Sequence, residues 1–258
     1  MSSSQPPNPQ DLRVNKRLQR LLVGLSLSKG AMVDLDKAQS SYLVKVLRKK
    51  IGDQVILFNG RDGAWLAQID VAERKLTRLQ CLCCLRQQPQ IFDLWYGFAP
   101  LKSARLDYMV QKATEMGASI MQPVITSFTQ KSRLNYSRMR SNVIEAAEQC
   151  EILNVPQVLE EISFEELLAN WKNLHGDRVL IFADEAAQNS SPVEQMLKLN
   201  IKKVGLLIGP EGGFSKEERE LLLSKEFVFP ISLGPRILRA DTAAVAALAL
   251  IQSTIGDR

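Results

Sequence analysis

The chain has 258 residues, 45% of them hydrophobic and 24% charged, with a formal net charge of +5 at pH 7. That composition excludes a disordered, collagen-like or disulfide-scaffold protein. The longest uninterrupted apolar run, residues 243–251, falls far short of the roughly 20 residues of a membrane span. The polar, Pro-rich residues 1–10 lack the apolar core of a secretory signal. The expectation is a soluble, cytoplasmic protein with no membrane partner.

In chain order, residues 1–17 read as a flexible polar tail. A helix-compatible stretch over 36–50 puts Leu43, Val44 and Leu47 on one face. Short β-rich runs follow at 54–58, 64–69 and 76–85, bounded by turn signals at Ile51-Gly52-Asp53 and Asn59-Gly60-Arg61-Asp62-Gly63. Short strands with little helix predict a small barrel over residues 18–88. Residues 87–90, Gln-Gln-Pro-Gln, read as a linker. The chain has four cysteines and a single histidine. Cys81, Cys83 and Cys84 cluster in an apolar run with no second ligand pair at zinc spacing, which predicts strand packing and no metal.

From residue 91 the pattern alternates between strand and helix. Strands are predicted at 91–99, 120–126, after Pro156, and at 179–183, 203–208 and 227–233. Helices are predicted at 103–116, 136–151, 164–171, 215–223 and 241–253. His175, in the polar run Asn173 to Asp177, reads as a turn residue, and chemistry that needs two histidines is excluded. Such alternation predicts a parallel sheet with helices on both faces over residues 89–258. Ligands of these sheets sit outside the carboxyl ends of the strands.

Charge divides the chain as the pattern does. Residues 1–88 carry 15 Lys/Arg and 7 Asp/Glu, whereas residues 89–258 carry 18 and 21. A basic module joined to a mildly acidic one suits a protein that grips a polyanion. Its basic side chains also cluster, at Arg13, Lys16, Arg17 and Arg20, at Arg48, Lys49 and Lys50, and at Arg74, Lys75 and Arg78.

Two loops fit the strand-end rule. Leu206-Leu207-Ile208 runs into Gly209-Pro210-Glu211-Gly212-Gly213-Phe214, and Ser215 with Glu218 has the spacing of a capping box. The turn lacks the Gly-Lys-Ser/Thr of a phosphate-binding loop and the Gly-x-Gly-x-x-Gly of a dinucleotide site. Leu233-Gly234-Pro235-Arg236-Ile237-Leu238-Arg239 likewise leads into an alanine-rich helix that Asp241 or Thr242 can cap.

Together these loops resemble those of the bacterial ribosomal RNA uridine-N3-methyltransferases of the SPOUT class. Lys112 to Gly117, Glu148-Gln149, Val46-Leu47-Arg48 and Gly52-Asp53 extend the resemblance over nearly the whole chain beyond about residue 18. It implies an α/β trefoil-knot domain at residues 89–258, a PUA-like RNA-binding β-barrel at residues 18–88, a homodimer, S-adenosylmethionine as cofactor, and ribosomal RNA, within a small-subunit particle, as partner. The cofactor would lie against Phe182 and Ala183, against Leu207, Ile208, Gly209, Pro210, Glu211, Gly212 and Gly213, and against Leu233, Gly234, Ile237 and Leu238.

Methylation at uridine N3 requires loss of the N3 proton. Arg236 or Arg239 is the candidate stabiliser of the resulting anion, and Asp241 or Glu211 the candidate general base. Arg20, Arg48, Lys131 and Arg133 are candidate phosphate contacts. The family usually has Glu-Thr where this chain has Asp241-Thr242, and Gly-Arg where it has Glu151-Ile152. These departures leave open a protein that keeps the fold and the RNA grip with weakened catalysis. A further alternative is an enzyme of the same fold that methylates another position, such as a ribose 2′-hydroxyl.

Overall fold

The computed structural model describes residues 18–130, 133–185, 187, 191–197, 201 and 203–256; the expected tail at residues 1–17 lies outside the described residues. The chain divides into two compact units. One takes in the chain up to Gln90 together with Ala147–Asn154, and the other comprises Ile91–Ala146 and Val155–Arg258.

In the first unit, β1 (Arg20–Leu22), β2 (Met32–Asp34), β3 (Gln54–Phe58), β4 (Ala64–Ala72) and β5 (Thr77–Arg86) form one sheet in the order β1-β3-β4-β5-β2. β1 is parallel to β3, and the other pairings are antiparallel. The long β4–β5 ladder slips register at three places. Each slip adds local twist, and the sheet curls around Val33, Leu43, Val55, Leu57 and Leu79. β1 and β2 are too short to show the alternation by which strands are recognised, and Cys81 is buried in β5.

α1 (Lys37–Ser41) opens on Asp36, whose side chain accepts from the Gln39 N–H, and runs directly into a π-helical turn, Tyr42–Val46. The helix expected over 36–50 therefore ends early. Leu47 N–H closes the turn on the Tyr42 carbonyl at 3.1 Å, and Arg48 follows at φ 53°, a region that disfavours residues with a Cβ.

Ala147–Asn154 belongs to this unit although it lies far beyond the expected boundary at residue 88. Glu148 Oε1 accepts from the Leu22 N–H at 2.9 Å, and Glu151 pairs with Arg20 at 2.7 Å. Contacts between residues so distant in sequence leave no local pattern. Glu151 adopts φ 60°, so the backbone keeps a glycine-like turn where the resembling family has glycine.

The second unit is built on a parallel sheet. It comprises β6 (Asp93–Phe98), β7 (Ile120–Ile125), β8 (Gln157–Val158), β10 (Val179–Ala183), β11 (Lys203–Ile208) and β12 (Val228–Ile231), in the order β12-β10-β11-β6-β7-β8, with β9 (Ile162–Ser163) paired to β7. The helices are α2 (Ser103–Glu115), α3 (Tyr136–Gln149), whose last three residues fall in the first unit, α4 (Phe164–His175), α5 (Pro192–Leu197), α6 (Lys216–Leu223) and α7 (Ala240–Thr254). Side chains alternate across a strand. Leu94, Tyr96 and Phe98 of β6 therefore enter a core with α2, α3 and α7, while Trp95 enters a second core with α4 and α6. With both faces covered, β6 and β11 read as unbroken apolar runs.

At the amino ends of the strands, buried Arg178 joins three of them. Its guanidinium donates to Asp93 Oδ1 at 2.8 Å and to the Asp93 and Val204 carbonyls at 3.0 and 3.1 Å. His175 is not in a turn as expected; it is the last residue of α4, which continues to a Gly176 cap at φ 63°. The polarity of its neighbours hides the reason. The imidazole packs at a tilt against Trp171, one helical turn away, with ring centroids 4.2 Å apart, and lies 5.0 Å from Trp95. Burial, assisted by the Arg178 charge and opposed by Asp93, lowers its pKa to about 4.

Candidate functional site

The two glycine-bearing turns converge at the carboxyl ends of β10, β11 and β12. Between them lies a cavity of about 330 Å³, within the usual size range of small-molecule sites. Gly212 from the first turn and Leu238 from the second both line it.

Local physics explains each wall. β11 ends at Ile208, and the chain turns through Gly209 to Gly213, where Gly213 takes φ 70° and donates to the Pro210 carbonyl at 2.9 Å. Only glycine adopts that backbone without strain. Ser215 then caps α6 as expected. Its Oγ accepts from the Glu218 N–H at 3.1 Å, and Glu218 Oε2 accepts from the Ser215 N–H at 2.8 Å. The second Glu218 oxygen accepts from the Ser127 N–H at 2.7 Å, so this buried carboxylate also ties the turn after β7 to the glycine loop. Phe214 tucks edge-on against Phe182, with centroids 5.1 Å apart.

The opposite wall is the 233–238 turn, with Gly234 at φ 102°. Ala240 and Ala243, one helical turn apart on α7, form the floor. Asp184, at the end of β10, is held by a two-pronged ion pair from Arg219, with Nε and Nη2 to its carboxylate at 3.0 and 2.8 Å.

Of the expected cofactor residues, Phe182, Ala183, Ile208 to Pro210, Gly212 and Gly213 all line this cavity, as do Leu233, Gly234, Ile237 and Leu238. Arg236 lines it as well. Leu207 does not, because it is fully buried in the core beneath.

The other catalytic candidates also lie outside the cavity. Glu211 turns outward to pair with Arg105 at 3.0 Å, both side chains being 41% exposed. Arg239 is the exposed N-cap residue of α7. Asp241 faces a shallow depression between α2 and α7, lined by Arg105, Tyr108, Thr242 and Val245. Helix geometry dictates this: with Ala240 and Ala243 facing the cavity, position 241 is rotated about 100° away. Below it, the Tyr96 hydroxyl is buried without a hydrogen-bond partner among the described residues. Burial, with the Asp241 charge, pushes that phenol well above its ordinary range.

Sequence reasoning missed Asp184, Glu185, Phe214, Arg219, Ala240 and Ala243, all of which line the cavity. The Asp184–Arg219 pair joins separate elements and carries no local signal. Ala240 and Ala243 could have been found from their one-turn spacing. Of the phosphate candidates, Arg20 is occupied by Glu151 with its side chain only 14% exposed. Arg48 and Arg133 are exposed, and Lys131 lies outside the described residues.

Residues 87–252 match the family described as RNA methyltransferase domain, and residues 35–77 match the RNA methyltransferase PUA domain. Fold and site thus define an RNA methyltransferase. A ribosomal RNA small subunit methyltransferase E from Rickettsia conorii is 32% identical, over 90% of this chain and 94% of its own length. The relative of the same name from Synechocystis is also 32% identical, over 92% and 78%. A Legionella pneumophila structure, described as a methyltransferase in complex with the bound cofactor SAM, superposes with a TM-score of 0.79 at 27% identity, covering 92% of this chain and 98% of that one. The chain belongs to the ribosomal RNA small subunit methyltransferase E family.

Proposed function

We propose that the protein transfers the methyl group of S-adenosylmethionine to N3 of a uridine in small-subunit ribosomal RNA, acting as a homodimer. The observation that carries this reading is the convergence of Gly212 and Leu238 on one cavity at the carboxyl ends of the strands. The residues suit the cofactor. Phe182, Ile208 and Leu238 offer an apolar slot, and the two turns offer backbone polar groups beside it. When bound, S-adenosylmethionine supplies an electrophilic methyl group.

The chain's own residues do the remainder. Holding base and donor in line lowers the barrier, by about 7–11 kcal/mol where reactants are well oriented. Arg236, in the cavity wall, stabilises the uridine anion as the N3 proton leaves. We assign the proton acceptor to the cluster in which Glu211 pairs with Arg105 and Asp241 shares Arg105 as a neighbour. The basic first unit, with Arg48 exposed, grips phosphates, so affinity for RNA falls steeply with salt.

The test is nucleoside mass spectrometry of small-subunit ribosomal RNA before and after incubation with the protein and S-adenosylmethionine. New N3-methyluridine is expected. Its absence, or appearance of a ribose-methylated nucleoside instead, refutes the proposal.

A further inference from the structure

The turn after β7, at the rim of the glycine loop, holds a side chain that the chemistry above does not use. Phe128 is 52% exposed. A single exposed apolar residue is ordinary, but this one is fixed in place. Thr129 N–H donates to the Thr126 carbonyl at 3.0 Å, Thr126 N–H donates to Thr129 Oγ1 at 2.9 Å, and the two threonine hydroxyls bond at 2.9 Å. Between them Ser127 is pinned by buried Glu218. A four-residue turn thus spends four hydrogen bonds presenting an aromatic ring to water.

The ring's position is specific. A side chain built on Gly212 would meet Phe128 Cβ at 3.4 Å and ring atoms Cγ and Cδ2 at 3.6 Å. Gly212 also lines the cofactor cavity. One residue's backbone therefore separates the donor site from the ring. Glu211, adjacent in the same loop, carries the Arg105 ion pair. A fixed, exposed aromatic face is the kind of platform on which unpaired nucleobases stack.

We propose that Phe128 is the stacking platform for the RNA base that enters the methyl-transfer site. This rests on the function proposed above. A base removed from its helix loses its stacking neighbours, and the Phe128 ring replaces one of them beside the donor.

Phe128→Ala, Phe128→Leu and Phe128→Trp test it. Loss of base stacking weakens binding by roughly 5- to 150-fold. The Ala and Leu variants should therefore lose that factor in kcat/KM for RNA, while calorimetric affinity for S-adenosylmethionine stays within about twofold. The Trp variant should retain activity, and its fluorescence should be quenched by short oligouridylate beyond the response of the wild-type chain, in which Trp95 and Trp171 are fully buried and Trp65 is half-buried. Recovery by Leu would overturn the proposal by making the contact merely apolar. A parallel loss of cofactor affinity, or a change in oligomeric mass, would overturn it in favour of packing or a subunit contact. Failure of the wild-type chain to form N3-methyluridine refutes the function proposed above; the fluorescence arm still decides on Phe128, and no added quenching overturns it.

Discussion

Replacing Glu218 with Gln should damage two distant turns at once. The Glu218 side chain is 5% exposed, and its two oxygens accept separately from Ser127 and Ser215 N–H groups at 2.7 and 2.8 Å. A glutamine has one acceptor oxygen for these two donors, so either orientation sets an NH2 group against a backbone N–H. Hydrogen bonds to a charged group contribute about 1.5–3 kcal/mol each, and a stranded buried donor costs a similar amount. One lost bond therefore predicts about 2 kcal/mol, which for a chain of this size lowers Tm by roughly 4–8 °C. Thermal melts with and without S-adenosylmethionine would measure it. The gain in Tm on adding the cofactor should also shrink, because the glycine loop loses its tie to the turn after β7. The exposed neighbour Glu217→Gln is the control, expected to shift stability by no more than about 0.5 kcal/mol. If E218Q melts with the wild type and binds the cofactor equally well, the carboxylate is not the joint described.

Three further outcomes follow from the geometry. Ala243→Leu pushes a larger side chain from the cavity floor and should weaken S-adenosylmethionine binding roughly 5- to 150-fold, the overpacking range, with circular dichroism unchanged; undiminished affinity on calorimetry would refute the assignment of the cavity. Arg236→Ala should cut kcat by roughly 10²–10³ with a smaller change in cofactor affinity, and Arg239→Ala, outside the cavity, should do less; equal losses of kcat and cofactor affinity in R236A would contradict a role in the transition state. His175, held at a pKa of about 4 against 6.5 when unperturbed, contributes stability that is complete above about pH 6.5 and is lost as pH falls toward 4, because the unfolded chain binds the proton first. The slope is at most about 1.4 kcal/mol per pH unit; denaturant melts between pH 7.5 and 5 should show it in the wild type and not in His175→Gln.

The sheet of the second unit was legible because it is buried on both faces, which makes its strands continuous apolar runs. β10 and β11 match the sequence reading residue for residue. The first unit was legible only in part. β3 matches, but β1 and β2 have three residues each, too few for a period to register. The π turn at Tyr42–Val46 is equally invisible, since its apolar spacing imitates an α-helix. Arg20 read as a phosphate contact because a lone arginine in a basic stretch looks unpaired, whereas its partner, Glu151, comes from a segment over a hundred residues away.

The site shows the same division more sharply. Glu211, Arg236, Arg239 and Asp241 read from sequence as one catalytic group because the resemblance joins their two loops and the chemistry needs an anion stabiliser and a base. Of the four, only Arg236 lines the donor cavity. The pitch of α7 gives the cavity two alanines and turns Asp241 toward α2, while Arg105 draws Glu211 outward. The consequence is directional. If the base loses its proton to this cluster, it must approach from the α2 side of the glycine loop, where Arg105 and Glu211 meet. Phe128 rests over Gly212 on the same loop, one residue from Glu211. Under the two proposals above, the carboxylate and the aromatic meet on one loop, at Glu211 and against Gly212. Under the proposed function, Arg236, which lines the donor cavity, is the residue that meets the charge developing as methyl and base come together.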